Sequence, residues 1–153
     1  MEIRKAQHFD YPEICSLINN ELGYKSVKLN ELTARIKAMN QDNNYYTFVA
    51  AEDKKVIGFI GLMKNITYEF NGLCMRVLSI AVVDNYQRTG IGKALLQYSE
   101  RFANSKGIDL FMVNSGLELN KAHNFYVKNG FKKASYGYWK IISDVSYVEH
   151  DRK

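Results

Sequence analysis

Residues 77–94 read VLSIAVVDNYQRTGIGKA, and this stretch decides the architecture. An apolar run from Val77 has the composition of a buried strand, Asp84 and Asn85 break it, and Gly90 and Gly92 open a segment with helical apolar spacing. A strand that turns through glycines into a helix start makes an anion site. The first N–H groups of a helix lack intrahelical acceptors and lie at the positive end of its macrodipole, where a phosphate is stabilised. Glycine at 90 and 92 removes the Cβ atoms that would hold a ligand away from the backbone. Gln87, Arg88 and Lys93 add side-chain donors around the same turn. A pyrophosphate suits it.

The run can be tested against the common phosphate motifs. A P-loop needs Gly five residues before the Gly-Lys pair and Ser or Thr after it, but Gln87 and Ala94 stand there. The dinucleotide fingerprint needs a third glycine where Leu95 stands, and Asp109, near the distance of its acidic residue, precedes a strand instead of ending one. What remains is Gln87-x-x-Gly90-x-Gly92 after a strand ending in Ile80, Ala81 and Val82. Downstream, residues 120–131 read NKAHNFYVKNGF, a short helix carrying Ala122 and, four residues later, Tyr126, followed by Gly130-Phe131. The two segments together resemble the acetyl-CoA signature and the C-terminal helix of the GNAT superfamily of N-acetyltransferases, and with the element order below the resemblance spans essentially the whole chain.

At 153 residues and 17.7 kDa the chain is expected to form one domain, a size that buries about two thirds of the unfolded surface. Neither an uninterrupted apolar span nor a leader pattern from Met1 onward is present, which predicts no membrane segment and a cytoplasmic location. Cys15 and Cys74 form no metal-ligand spacing and no disulfide framework, so both are expected as thiols and no metal is predicted. The net charge of +5 is spread along the chain, with a mild excess at Lys121, Lys128, Lys132 and Lys133. Dense cation runs interleaved with aromatics are absent, which argues against nucleic acid and for a solvated surface that tolerates an anionic cofactor.

Residues 2–7 read as a strand, and Asp10, Pro12 and Glu13 as a capped helix start whose stripe is Ile14, Leu17, Ile18 and Leu22, stopped by Gly23. A second helix is expected over residues 29–39. Residues 45–51 and 56–68 read as a hairpin across the charged turn at 52–55, and residues 74–83 as a central strand buried on both faces. A helix over 90–105 presents Ile91, Leu95, Tyr98 and Phe102, and ends near Gly107. Ile108–Val113 is a fifth strand, 121–128 a short fourth helix, and 131–140 and 141–149 two last strands. The expected fold is therefore α/β, or α+β, with helices on both faces of a mixed, mostly antiparallel sheet of about seven strands.

The resemblance implies that the fourth and fifth strands splay beside the glycine turn. Ile80, Ala81 and Val82 would then offer backbone groups to the pantetheine amides of acetyl-CoA, and Gln87, Arg88, Thr89, Gly90, Ile91, Gly92 and Lys93 would wrap its pyrophosphate. Tyr126 matches the family's tyrosine, and a phenol with a pKa near ten holds a proton for a departing thiolate at neutral pH; Phe125 beside it reads as core. Many family members carry an acid just before the apolar triplet, where this chain has Leu78 and Ser79. The base is therefore open among Glu69, Glu118, His123 and a water chain ending on backbone or Ser79, and a partly neutral amine needs none. Asn120 lies one residue after the family's asparagine position, occupied here by Leu119, and either bonds the pantetheine arm or caps the helix.

The acceptor wall implied by the family comprises residues 23–30, 68–71 and 136–139. Tyrosines, Trp139, Lys25 and Lys28 occur there with few acids, which favours a small amine carrying its own anion over a polycation. A lysine-rich peptide tail stays open as an acceptor. A CoA-binding module without turnover would share the glycine turn but be indifferent to Tyr126, and a basic nucleic-acid-binding domain would bind DNA in a salt-sensitive way without CoA. Pairing into a homodimer is a further expectation from the family.

Overall fold

The computed structural model describes residues 1–142. Its centre is a five-stranded sheet in the order β1-β2-β3-β4-β5, with β1 (Glu2–Lys5), β2 (Tyr45–Glu52), β3 (Lys55–Ile66), β4 (Leu73–Val82) and β5 (Ile108–Val113). The first four strands run antiparallel to their neighbours, and β5 joins β4 in parallel. A parallel partner needs a crossover, which α3 (Ile91–Ser105) supplies after the glycine turn. The other helices are α1 (Tyr11–Asn20), α2 (Leu29–Gln41) and α4 (Asn120–Lys128). This is the expected mixed α/β class.

Alternation along the strands sends apolar side chains into two cores. On one face Phe48, Ile60, Leu62, Met75 and Val77 meet Ile91, Leu95 and Leu96 of α3. Tyr98 and Phe102 extend this core as edge-to-face aromatic contacts with Phe48, at ring-centroid distances of 5.0 Å for each. On the other face Val49, Phe59 and Ala81 meet Ile14 and Leu17 of α1 and Leu32 and Ile36 of α2. Helix α3 approaches the first face closely because Gly58 is bare: a Cβ there would lie 3.0 Å from the Ala81 carbonyl oxygen and 3.3 Å from Leu95 Cδ1. The β2–β3 connection turns on Asp53 (φ 49°) and Lys54 (φ 67°), both left-handed, as a tight turn matched to strand twist requires.

Three expectations need correction. The strand read over 131–140 is not formed, since residues 131–142 carry no strand; the strand read over 141–149 lies mostly outside the described residues, and the described sheet has five strands where about seven were expected. In residues 131–140 neither alternating set is apolar, since Lys133, Ser135 and Gly137 interrupt one and Lys132 and Lys140 flank the other, so aromatic content alone does not make a buried face. Nor is β4 covered on both sides throughout, because Leu78 is 43% exposed and Arg76 is only half-buried. Finally, the Asp10 carboxylate does not cap α1. It accepts from the Gln7 N–H at 2.7 Å, closing a capping box on the preceding 3-10 turn, and from Arg4 Nη1 and Nη2 at 2.7 and 2.9 Å.

Burial of Asp10 would by itself raise its pKa, but the Arg4 guanidinium and the Gln7 N–H hold the carboxyl below its ordinary value of 3.8. A lowered folded-state pKa stabilises the fold above the unfolded value and loses that contribution as pH falls through the folded value. Asp10→Asn is therefore expected to lower unfolding free energy by about 3 kcal/mol at pH 7 and to flatten the loss of stability below about pH 4, both read from urea titrations. Gly58→Val is expected to cost about 2 kcal/mol by pushing α3 from the sheet, read as a lowered urea midpoint with unchanged slope.

Candidate active site between the diverging strands

β4 and β5 are partners only from Leu73↔Ile108 to Val77↔Val113. β5 then ends, while β4 continues to Val82 with β3 as its sole partner among the described residues. Ile80, Ala81 and Val82 pair with Ile60, Phe59 and Gly58 on one side and line an open wedge on the other. At the mouth of the wedge the ladder slips: Leu62 faces Val77 and Gly61 faces Ser79, so Leu78 is an extra residue with no partner on either neighbouring strand. Such a bulge turns backbone groups out of the ladder, where they can bond a ligand.

The glycine turn follows at the end of β4. Gly90 takes φ 95° and Arg88 φ 63°, and Gly90 caps α3 through its backbone alone. Among the described residues the N–H groups of Arg88, Thr89, Gly90, Ile91, Gly92 and Lys93 find no acceptor, whereas the N–H of Ala94 is the first to close the helix, on the Gly90 carbonyl at 2.9 Å. This concave run of donors at a helix N-terminus fits a diphosphate. The two glycines serve different ends: a Cβ at Gly90 would meet open space but its φ demands glycine, whereas a Cβ at Gly92 would lie 3.2 Å from the Phe125 ring. Gly92 is thus bare to let α4 pack.

Side chains brace the turn instead of lining it. Gln87 Nε2 donates to the Val82 carbonyl at 3.1 Å and to Glu21 Oε2 at 3.0 Å, Glu21 Oε1 accepts from the Asp84 N–H at 3.2 Å, and the Thr89 hydroxyl donates to the Tyr86 carbonyl at 2.6 Å. Glu21, at the end of α1, ties the turn to the loop that follows α1. That loop is itself held by a reciprocal amide pairing of Asn19 with the backbone of Val27, at 2.9 and 3.0 Å.

Tyr126 owes its position to the way α4 stops. Gly130 is left-handed (φ 89°) and its N–H bonds the Val127 carbonyl at 3.1 Å, while the Phe131 N–H bonds the Tyr126 carbonyl at 3.0 Å. This is a Schellman ending, and its usual apolar contact is present as Phe131 against Tyr126 at 5.5 Å between ring centroids. Phe125 holds the ring from the other side at 5.4 Å. Burial raises the phenol above its ordinary pKa of 10.0, so the proton is firmly held at neutral pH. The hydroxyl itself bonds no described residue.

The remaining candidates are dispersed. Glu69 and Glu118 are exposed, and His123 Nε2 contacts the Gly116 carbonyl at 2.8 Å, which anchors the loop before α4 and leaves Nδ1 without a partner among the described residues. Asn120 is the first residue of α4 and is exposed; its side chain caps nothing. Ser79 is half-buried in the row Thr47, Gly61, Ser79, on the sheet face opposite α3. Sequence reasoning missed Arg76, Glu21 and the bulge at Leu78. Arg76 did leave a signal, as the one charge within the apolar run from Leu73 to Val82.

The sequence and the fold have counterparts among known proteins. Residues 43–133 match the model of the acetyltransferase (GNAT) domain family. The chain is 25% identical over 145 residues to the aminoalkylphosphonate N-acetyltransferase of Salmonella typhimurium, covering 92% of this chain and 91% of that protein. Among solved structures, a GNAT family acetyltransferase of Staphylococcus aureus superposes with TM-score 0.77 at 26% identity over 92% of this chain and 98% of the other. AAC(6')-Iy, in complex with the bisubstrate analog CoA-S-monomethyl-acetylneamine, shares the fold with TM-score 0.80 at 18% identity, over 93% and 97%. With a wedge between its fourth and fifth strands, an open donor turn beside it and a matching family model across more than half its length, the chain belongs to the GNAT acetyltransferase family.

Proposed function

We propose that this acetyltransferase moves the acetyl group of acetyl-CoA onto the primary amine of a small molecule, both substrates being held together in a ternary complex. The observation that carries this reading is the pairing of the open wedge at Ile80, Ala81 and Val82 with the unbonded N–H groups from Arg88 to Lys93. The turn fits a pyrophosphate, and the edge of β4 fits the amides of a pantetheine arm as an added strand would. Arg88 and Lys93 add charge, and Asn120, exposed at the start of α4, would be a further donor.

When bound, acetyl-CoA supplies a thioester carbonyl carbon to an attacking neutral amine. The bulge at Leu78 turns backbone out of the ladder at the mouth of the wedge, where its N–H would serve as a preorganised donor for the charge that develops on the thioester oxygen. Tyr126 serves as the acid that protonates the departing thiolate, a role suited to a phenol whose burial keeps it protonated. The described carboxylates offered as bases are exposed and away from the bulge row, and the amine is best served by water reaching Ser79. An acceptor that carries an anion fits the few acids along the wall segments, and it agrees with the acceptor named for the Salmonella relative. Two buried free thiols, Cys15 and Cys74, fit a reducing cytoplasm, and assembly as a homodimer belongs to the same reading.

Free-thiol release from acetyl-CoA over a panel of amines tests the proposal. Release that depends on one amine class is expected, and acetyl-CoA binding without release on any amine would instead mark a binding module. Tyr126→Phe is expected to lower kcat about hundredfold, and wild-type kcat is expected to show no loss of the acid form below about pH 10 because the phenol's pKa is raised. Undiminished turnover in Tyr126→Phe would remove Tyr126 from the chemistry.

A further inference from the structure

The face of the sheet opposite α3 is covered by α1 and α2 over the row Val49, Phe59, Ala81, but not over the rows nearer the mouth of the wedge. One such row crosses four strands as Tyr45, Met63, Arg76 and Met112. The next row carries Gly61 and Ser79, and a Cβ at Gly61 would meet no atom of a described residue within 4 Å, so the sheet as described has a hollow here. Cross-strand partners share a face, which places Arg76 on the floor of that hollow. It stands two residues before the bulge at Leu78, about 7 Å along the strand.

Arg76 is half-buried, yet it forms no ion pair with a described carboxylate. Its recorded contact is Nη1 donating to Asn114 Oδ1 at 2.7 Å. A guanidinium has five N–H donors, so most are not engaged by a described residue. Asn114, just past the end of β5, in turn packs against Gly137, where a Cβ would lie 2.8 Å from its Nδ2. Gly137 belongs to the wall segment read from the sequence, and its missing side chain lets the backbone there approach Asn114. One row further, Asn65 Oδ1 is buried with no hydrogen-bond partner among the described residues, as is Thr67 Oγ1 just beyond it. Such groups are satisfied by a polar ligand or by water.

α3 and the donor turn lie on the far side of the sheet, so on the proposed reading the cofactor would be held from that side and an amine would approach from this hollow. We infer that Arg76 is a specificity-determining residue: its free fork binds the carboxylate or phosphonate of the acceptor and sets the amine beside the bulge at Leu78. The inference rests on the proposed acetyl transfer and adds the site that reads the acceptor. A planar fork of donors matches either anion bidentately, and Asn114 holds its orientation.

The test compares three acceptors of similar length on the full chain: 2-aminoethylphosphonate, β-alanine and n-propylamine. The wild type is expected to favour the two anionic amines in kcat/KM. Arg76→Gln is expected to shrink that preference about ten- to hundredfold, mostly through acceptor KM, and Arg76→Lys to restore part of it. A wild type that favours propylamine overturns the inference even if Arg76→Gln fails to fold, and so does an Arg76→Gln enzyme that loses activity equally on all three. Isothermal titration with acetyl-CoA separates the two levels: binding with transfer only to the neutral amine defeats the anion site alone, whereas no binding defeats the acetyl-transfer reading and the inference with it.

Discussion

The site depends on one constraint, that β4 stays paired with β3 to its end while its parallel partner leaves it at Val77. A single sheet edge is thereby opened inside the molecule, and unpaired N–H and C=O groups in such a place demand a partner. Three local choices hold it open. Leu78 is inserted as a bulge at the point of departure, Gly58 lets α3 press against the sheet beside Ala81, and Gly90 turns the chain from the end of β4 into α3 within a few residues. Each acts on β4 or on the element that follows it. The wedge and the donor turn are consequences of the same packing.

Gln87 shows how the turn is kept in shape. Its amide is spent on Val82 and Glu21, so on the proposed reading a diphosphate would be left to backbone donors and to Arg88 and Lys93. Backbone N–H groups fixed by a helix start need no reorganisation when an anion arrives, which is where a preorganised site draws its strength. The Glu21 link also joins the donor turn to the α1–α2 loop, pinned by Asn19, so the two segments that the proposal assigns to cofactor and acceptor share one brace.

Much of the fold was legible because its signals are local. The stripe of Ile91 and Leu95, the run into Val82, the charged hairpin turn and Gly130 each express a period or a backbone preference within a few residues. The wedge was legible only through the family resemblance, since divergence of two strands distant in sequence leaves no local mark. Asp10 misled because a carboxylate before Pro12 has the pattern of a cap, and only the fold brings Arg4 of β1 beside it. Phe131 misled in a similar way: in sequence it opens an aromatic strand, but in space it completes the stop of α4 and props Tyr126. Arg76 was passed over because its meaning comes from the row Tyr45, Met63, Met112 and the bare Gly61, which no single strand reveals.

The central claim is that open backbone donors from Arg88 to Lys93 seize the pyrophosphate while the edge of β4 holds the arm. Isothermal titration of the full chain with CoA and, separately, with pantetheine, which has the arm but no pyrophosphate, addresses it most directly. The account predicts saturable binding of CoA and far weaker binding of pantetheine. Equal affinity for the two, or no heat with CoA, would contradict it.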